Sequence, residues 1–149
     1  NRTTERRYHA LVWGDIESDG TIEGNIGRSL KNRKVMAVFK DGQHGKVAIT
    51  HYKVLERFGL VTLIECKLET GRTHQIRVHF SALNHPLVGD TTYGADPVLG
   101  RSLAMSRPWL HALELRFKHP VSSEELVLNA PYAPDLQACL ALLSEAVLP

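Results

Sequence analysis

The chain has 149 residues, 43% hydrophobic and 23% charged, with a formal net charge of +2 and a pI near 8.6. That size and balance fit one domain with a real core, and no apolar run approaches the roughly 18 residues of a membrane span. The small positive excess leans toward anionic partners without separating them from an ordinary enzyme, and with no charged-then-apolar leader a cytoplasmic protein is expected.

Taken in chain order, "YHALVWGDI" (8–16) is rich in aromatic and β-branched residues and runs into the turn-prone "ESDG", as a strand should. "KVMAVF" (34–39) reads as a second strand, closed by the Gly-punctuated loop 40–46. "VAITHYKVLERF" (47–58) and "LVTLIECKLE" (60–69), joined at Gly59, form the clearest hairpin. In its second strand Ile64, Cys66 and Leu68 share one face, and Val61, Leu63, Glu65 and Lys67 the other, which turns polar toward its end. The period then changes: in "THQIRVHFSAL" (73–83) Ile76, Phe80 and Leu83 make a helical stripe, with Thr73 as the expected N-cap behind Gly71.

Further strands are expected at "HPLVGD" (85–90) and "WLHALELRF" (109–117), separated by the loop-like "YGADPVLGRS" (93–102). A last helix is expected over 133–148, its stripe being Leu136, Leu140, Leu143 and Val147 after Pro134. The expected class is α+β, a mixed and largely antiparallel sheet with a few flanking helices. Cys66 and Cys139 are the only cysteines; they lie in apolar segments without ligand spacing and read as buried thiols.

The stretch "ETGRTHQIRVHF" (69–80) places two arginines and a histidine where a strand gives way to a helix. The start of that helix offers unpaired N–H groups and the positive end of its dipole, and Arg72 adds a permanently charged fork. Arg77, four residues from Thr73 and three from His74, shares their face at the edge of the apolar stripe. A guanidinium there calls for a carboxylate or phosphate. The plainer reading gives Arg77 a structural carboxylate and leaves His74 as a cap.

The run "TGRTHQIRVH" (70–79), then "HPLVGDTTYG" (85–94), "LHALELRFKHP" (110–120) and "APYAPDL" (130–136), resembles the ribosomal large-subunit pseudouridine synthases of the RluA/RluD branch. "RRYHALVWG" (6–14) and "GKVAITHYKVLE" (45–56) fit the same pattern in the same order, nearest to the RluD-like enzymes. The resemblance implies isomerisation of uridine within ribosomal RNA: the base is cut from C1′, turned and rejoined through C5, with an aspartate as nucleophile and neither cofactor nor metal. It further implies that Tyr52, in "GKVAITHY", packs against the target base and is a candidate for assisting proton removal from C5. Arg77, in "QIR", would ion-pair with the catalytic aspartate and keep it ionised. Arg72, Thr73 and His74 at the helix start would meet RNA phosphate, and Arg28, Lys31, Arg33 and Lys34 in "GRSLKNRK" (27–34) would grip its backbone or remain a solvated loop.

The nucleophile of this family sits in an "RLD…TSG"-type segment, and none of the six aspartates of the chain lies in that context. With Asn1 as its first residue, the chain reads as the C-terminal portion of a catalytic domain over 1–149, inactive alone and monomeric, with ribosomal RNA as partner and no membrane. A non-catalytic RNA-binding module is the alternative, and a structural domain whose basic helix start merely closes a salt bridge is the third. Asp90, between "HPLVG" and "TTYG", reads as a residue that fixes loop geometry by side-chain bonds. His111 and His119 read as packing residues, and no histidine stands at metal-ligand spacing.

Overall fold

The structure, a computed structural model, describes residues 5–118, 125–129 and 131–147. Six antiparallel strands form the main sheet in the order β2-β5-β6-β1-β7-β8: β1 Glu5–Trp13, β2 Gly20–Glu23, β5 Ile49–Arg57, β6 Val61–Leu68, β7 Leu110–Lys118 and β8 Glu125–Asn129. A separate ribbon pairs β3 (Asn25–Arg28) with β4 (Met36–Phe39). The helices are α1 (Gln75–Ala82), α2 (Pro97–Ser102) and α3 (Pro134–Val147). This is the α+β, largely antiparallel class that the strand patterning predicts.

Alternation along β6 sorts the core into two layers. Ile64 and Cys66 pack with Ala10, Val12, Ile76 and Phe80 beneath α1, while Val61 and Leu63 pack with Leu11, Trp109, Leu136, Cys139 and Leu143 beneath α3. The centre of the sheet is therefore apolar on both faces. The α3 layer is pinned by one polar contact in its core and one at its rim. Trp109 Nε1–H donates to Leu136 O at 3.2 Å, and Arg107 forks onto Asp135 through two 2.8 Å bonds. Both thiols are fully buried, and burial pushes Cys66 far above the ordinary thiol range and Cys139 up to about 11.

Several expectations change. Helix α1 begins at Gln75, two residues after Thr73, because His74 takes a left-handed conformation (φ 54°) at the N-cap position without a side-chain cap. Leu83 ends the helix and is 43% exposed, so the buried stripe consists of Ile76 and Phe80. In the α3 stripe Leu136 and Leu143 are buried and Leu140 is partly so; Val147 lies outside the residues whose side chains are described. Segment 85–90 is a turn rather than a strand, with one bridge from Leu87 to Val12. Pro86 lacks a ladder donor, and Gly89 (φ 86°) is turned where an added Cβ would meet Arg107 O at 2.1 Å. Segment 93–102 contains α2, started by Asp96 accepting from Val98 N–H and by Pro97 at the first helical turn. The expected strand at 109–117 is β7, and His119 lies outside the described residues.

The layer beneath α1 generates a stability contrast. Phe80→Ala is expected to lower the unfolding free energy by about 3–5 kcal/mol, and Leu83→Ala by at most about 0.5 kcal/mol. Urea unfolding of the two variants checks the difference, and equal losses would refute the assignment of the stripe.

Candidate RNA-modification site

The helix start is built by a buried polar chain. Gln75 turns its side chain back so that Oε1 accepts from the Thr70 hydroxyl at 2.8 Å and from Arg72 N–H at 3.0 Å. Its Nε2 donates to Ile49 O and to Thr50 Oγ1. Thr50 therefore spends its own proton on His79 Nδ1 at 2.8 Å, and His79 Nε2–H donates to Gly24 O at 3.0 Å. Every donor in this chain has an acceptor only if His79 is neutral and protonated on Nε2. Burial holds its pKa below the ordinary histidine range, with the Gly24 carbonyl opposing. The chain joins α1 to the start of β5, at Thr50 two residues before Tyr52, and to Gly24 in the link between β2 and β3. Among the described residues no side chain caps α1; Gln75 instead ties the chain before the helix, at Thr70 and Arg72, to its first residue.

The other face of α1 holds Arg77. Its Nε and Nη2 donate to the two oxygens of Asp90 at 2.8 and 2.9 Å, and Asp90 is 1% exposed. That hydrogen bonding raises the Arg77 pKa against the opposing effect of burial. The carboxylate that Arg77 requires thus comes from within the chain, and Asp90 fixes its loop partly through this bond, as the plainer reading has it. Arg77 also lies over the Tyr93 ring, 4.9 Å from its centroid. Tyr93 Oη accepts from Met36 N–H at 2.9 Å and donates to His74 Nδ1 at 2.8 Å. Desolvation, and next the neighbouring Arg77 charge, lower the His74 pKa, so at neutral pH His74 is a neutral hydrogen-bonding group. Nothing in the sequence reading singled out Tyr93 beyond its turn, although it ties β4, α1 and the Asp90 loop together.

Tyr52 packs edge-on against Phe80, ring centroids 5.4 Å apart, and Phe80 lies one helical turn from Arg77. Tyr8 is the aromatic that sequence reasoning passed over. In the sheet register both Tyr8 and Tyr52 pair with Cys66, so the two tyrosines flank one residue on the face beneath α1, where both are partly buried. The alternation of Tyr8, Ala10 and Val12 was the available signal.

The basic residues fall into one region. Arg28, Lys46, Arg72 and Thr73 line a groove of about 480 Å3 between the β3–β4 ribbon and the start of α1. Arg72 is anchored by Nε–H donating to Val47 O at 2.7 Å. The ribbon stands close because neither Gly27 nor Gly45 has a side chain: a Cβ on Gly45 would meet Ile26 C at 2.8 Å. Arg28 donates to Arg33 O, and Lys31, Arg33 and Lys34 are exposed on the connecting turn. Lys46 was not among the expected residues.

With this geometry in view, the chain matches the RNA pseudouridylate synthase family over residues 1–82. It is 48% identical over 143 residues to an RNA pseudouridine synthase of Mycobacterium bovis, covering 95% of this chain and 46% of that one. Ribosomal large subunit pseudouridine synthase D of Nitrosomonas europaea is 46% identical over 143 residues, covering 93% of this chain and 41% of the relative. The solved structure of human RNA pseudouridylate synthase domain containing 1 superposes with a TM-score of 0.73 at 36% identity, covering 97% of this chain and 65% of that one. The chain belongs to the RNA pseudouridylate synthase family, in the RluA/RluD-like group. It spans about half the length of the curated relatives it matches.

The buried histidine carries a pH dependence with a definite sign. As pH falls through about 6.5, the unfolded chain takes up the His79 proton first, whereas the folded state resists it. Stability from this group is complete above that pH and is lost from there down to the lower folded pKa. Urea midpoints measured between pH 7.5 and 5, with a His79 ring titration by NMR, check this; a His79 pKa at or above the ordinary value would overturn it.

Proposed function

We propose that the chain is the C-terminal portion of an enzyme that converts uridine to pseudouridine in large-subunit ribosomal RNA, acting in the cytoplasm. The observation that carries this reading is the Arg77–Asp90 fork, whose arginine lies within the family-matched residues 1–82. Both Asp90 oxygens accept from Arg77, so this buried carboxylate is consumed in orienting the guanidinium and is unsuited to attack C1′. Arg77 keeps Nη1, which has no hydrogen-bond partner among the described residues, to meet a second anion. In the proposed enzyme that anion is the nucleophilic aspartate, supplied by a segment outside these 149 residues. A guanidinium locked by one carboxylate stabilises and aims another without reorganising during the reaction. Tyr52, with Tyr8 beside it, is the proposed aromatic surface against the target base and the candidate group for the C5 proton.

The groove supplies the RNA contacts. Arg28, Lys46 and Arg72 present three cations to a phosphodiester backbone, with Lys31, Arg33 and Lys34 extending the surface along the turn. Thr73 and a neutral His74 offer only hydrogen bonds there. A non-catalytic RNA-binding module would use the same groove and differs in leaving Arg77 without a reacting partner.

Tritium release from C5-labelled uridine in ribosomal RNA tests the reaction. The 149-residue chain is expected to release none, and a longer parent containing an "RLD"-type segment to release it. In that parent Arg77→Ala should cost at least about 100-fold in turnover. Because that variant also strands the buried Asp90 carboxylate, at about 3–5 kcal/mol, Arg77→Lys serves as the folded control and is also expected to be impaired, since a single ammonium cannot hold two carboxylates in a planar fork. Full activity of the short chain, or of a folded Arg77→Lys parent, would remove the proposed role.

Binding has its own test. Affinity for structured RNA should fall steeply with salt, and Arg72→Ala and Lys46→Ala should each reduce the slope of log K against log salt by about one. A slope unchanged in both variants would place the RNA elsewhere.

A further inference from the structure

On the far end of α1 from the basic groove lies a second cavity, of about 360 Å3, lined by Trp13, Asn84, Pro86, Tyr93, Asp96 and Leu99 among others. We propose that this cavity is a subsite for an unstacked nucleobase of the RNA, one whose edge carries N–H donors, guanine above the rest. The inference rests on the RNA reading above but uses none of the groups assigned there.

Its chemistry is unlike that of the groove. No cationic side chain lines it, so it offers nothing to a phosphate. It does offer a flat aromatic surface, since Trp13 is 43% exposed whereas Trp109, the other tryptophan, is fully buried. Trp13 is held in place from both sides of its backbone: its N–H donates to Pro86 O at 2.9 Å, and its carbonyl accepts from His85 Nδ1–H at 2.6 Å. An exposed indole on a backbone fixed in this way offers a stacking platform.

The polar groups at this cavity are acceptor-rich and available. Asp96 Oδ1 accepts from Val98 N–H, and Oδ2 has no hydrogen-bond partner among the described residues. Asn84 stands in a left-handed conformation (φ 65°), and among the described residues its side-chain amide makes no hydrogen bond. A carboxylate accepts from two adjacent N–H groups, as on the guanine edge, and repels an edge of bare carbonyls. Tyr93 links the cavity to the candidate centre, lining it while carrying Arg77 over its ring. A base seated here would accompany an RNA strand that reaches Arg77, which fits a residue flanking the target uridine.

Tryptophan fluorescence reads the site directly, because Trp13 is the accessible indole. Short single-stranded oligoribonucleotides containing guanine are expected to quench it, and the same oligomers with an abasic site or uridine at that place to quench it far less. Trp13→Ala should weaken binding of the guanine oligomer about tenfold with its salt slope intact, and Trp13→Phe should recover part of the loss. Asp96→Asn keeps a helix-capping side chain and should erase the preference for guanine over uridine. RNA that binds with the full salt slope while Trp13 fluorescence stays unmoved would overturn the subsite and leave the proposed function standing. Equal quenching by abasic and guanine oligomers would also overturn it, and absence of all RNA binding would overturn both.

Discussion

The architecture around the candidate site depends on one buried ion pair. Asp90 lies in a turn that has no strand ladder to hold it, and its carboxylate is almost wholly removed from water. A planar donor fork satisfies both oxygens at once in such a place, and Arg77 provides it. The backbone answers the same demand: Asp90 O accepts from Tyr93 and Ala95 N–H, and Asp90 N–H donates to Leu87 O. These bonds wind the loop so that Tyr93 comes beneath Arg77 and its hydroxyl reaches β4 and His74. A buried pair of this kind adds little net stability over an apolar substitute, yet breaking it is costly. Its value lies in specifying one arrangement of helix, loop and ribbon.

The same eight-residue helix is fixed on its other side by the Gln75–Thr50–His79 chain. Two independent locks on one short helix matter because α1 spans little more than two turns and has modest intrinsic stability. Gln75 restrains the Arg72 backbone, and His79 restrains Gly24, the residue that launches the ribbon bearing Arg28. Basic groove and Arg77 fork are thereby held in register through buried groups, which is the role of a supporting shell around a site. The neutrality of His79 and His74 follows from the same crowding, and it leaves the charge of this surface to arginine and lysine.

Legibility in the sequence tracked the range of the interaction. The β5–β6 hairpin and α3 were readable because alternation, a glycine turn and an apolar stripe are local signals, and the buried Ile76 and Phe80 follow from the same period. The strands β2, β3 and β8 were missed: each is four or five residues long, and their pairing depends on partners far along the chain rather than on their own pattern. The N-cap at Thr73 failed because His74 takes the left-handed conformation at the N-cap position and the helix starts only at Gln75. For the site, residue types pointed to an anion at Arg72 and Arg77, but Asp90 as partner could not be read from a carboxylate thirteen residues away across a turn. Tyr8 was hidden by its resemblance to any strand aromatic, and only the register that sets it opposite Cys66 beside Tyr52 distinguishes it.

What the fold achieves electrostatically is a division of labour along α1. At its start, three cations in a groove suit a polyanionic backbone, and their effect spreads over roughly a Debye length, about 8 Å at physiological salt. At its end, around Trp13, the lining is apolar and acceptor-bearing, suited to a neutral ring and indifferent to phosphate. Arg77 stands between them paired one-to-one with Asp90, and the zero net formal charge of the pair weakens its pull on phosphate. In the proposed enzyme an Arg77 left unpaired would compete for the RNA backbone. The buried aspartate leaves only one edge of the guanidinium available, which in the proposed enzyme reserves it for a single, directional contact.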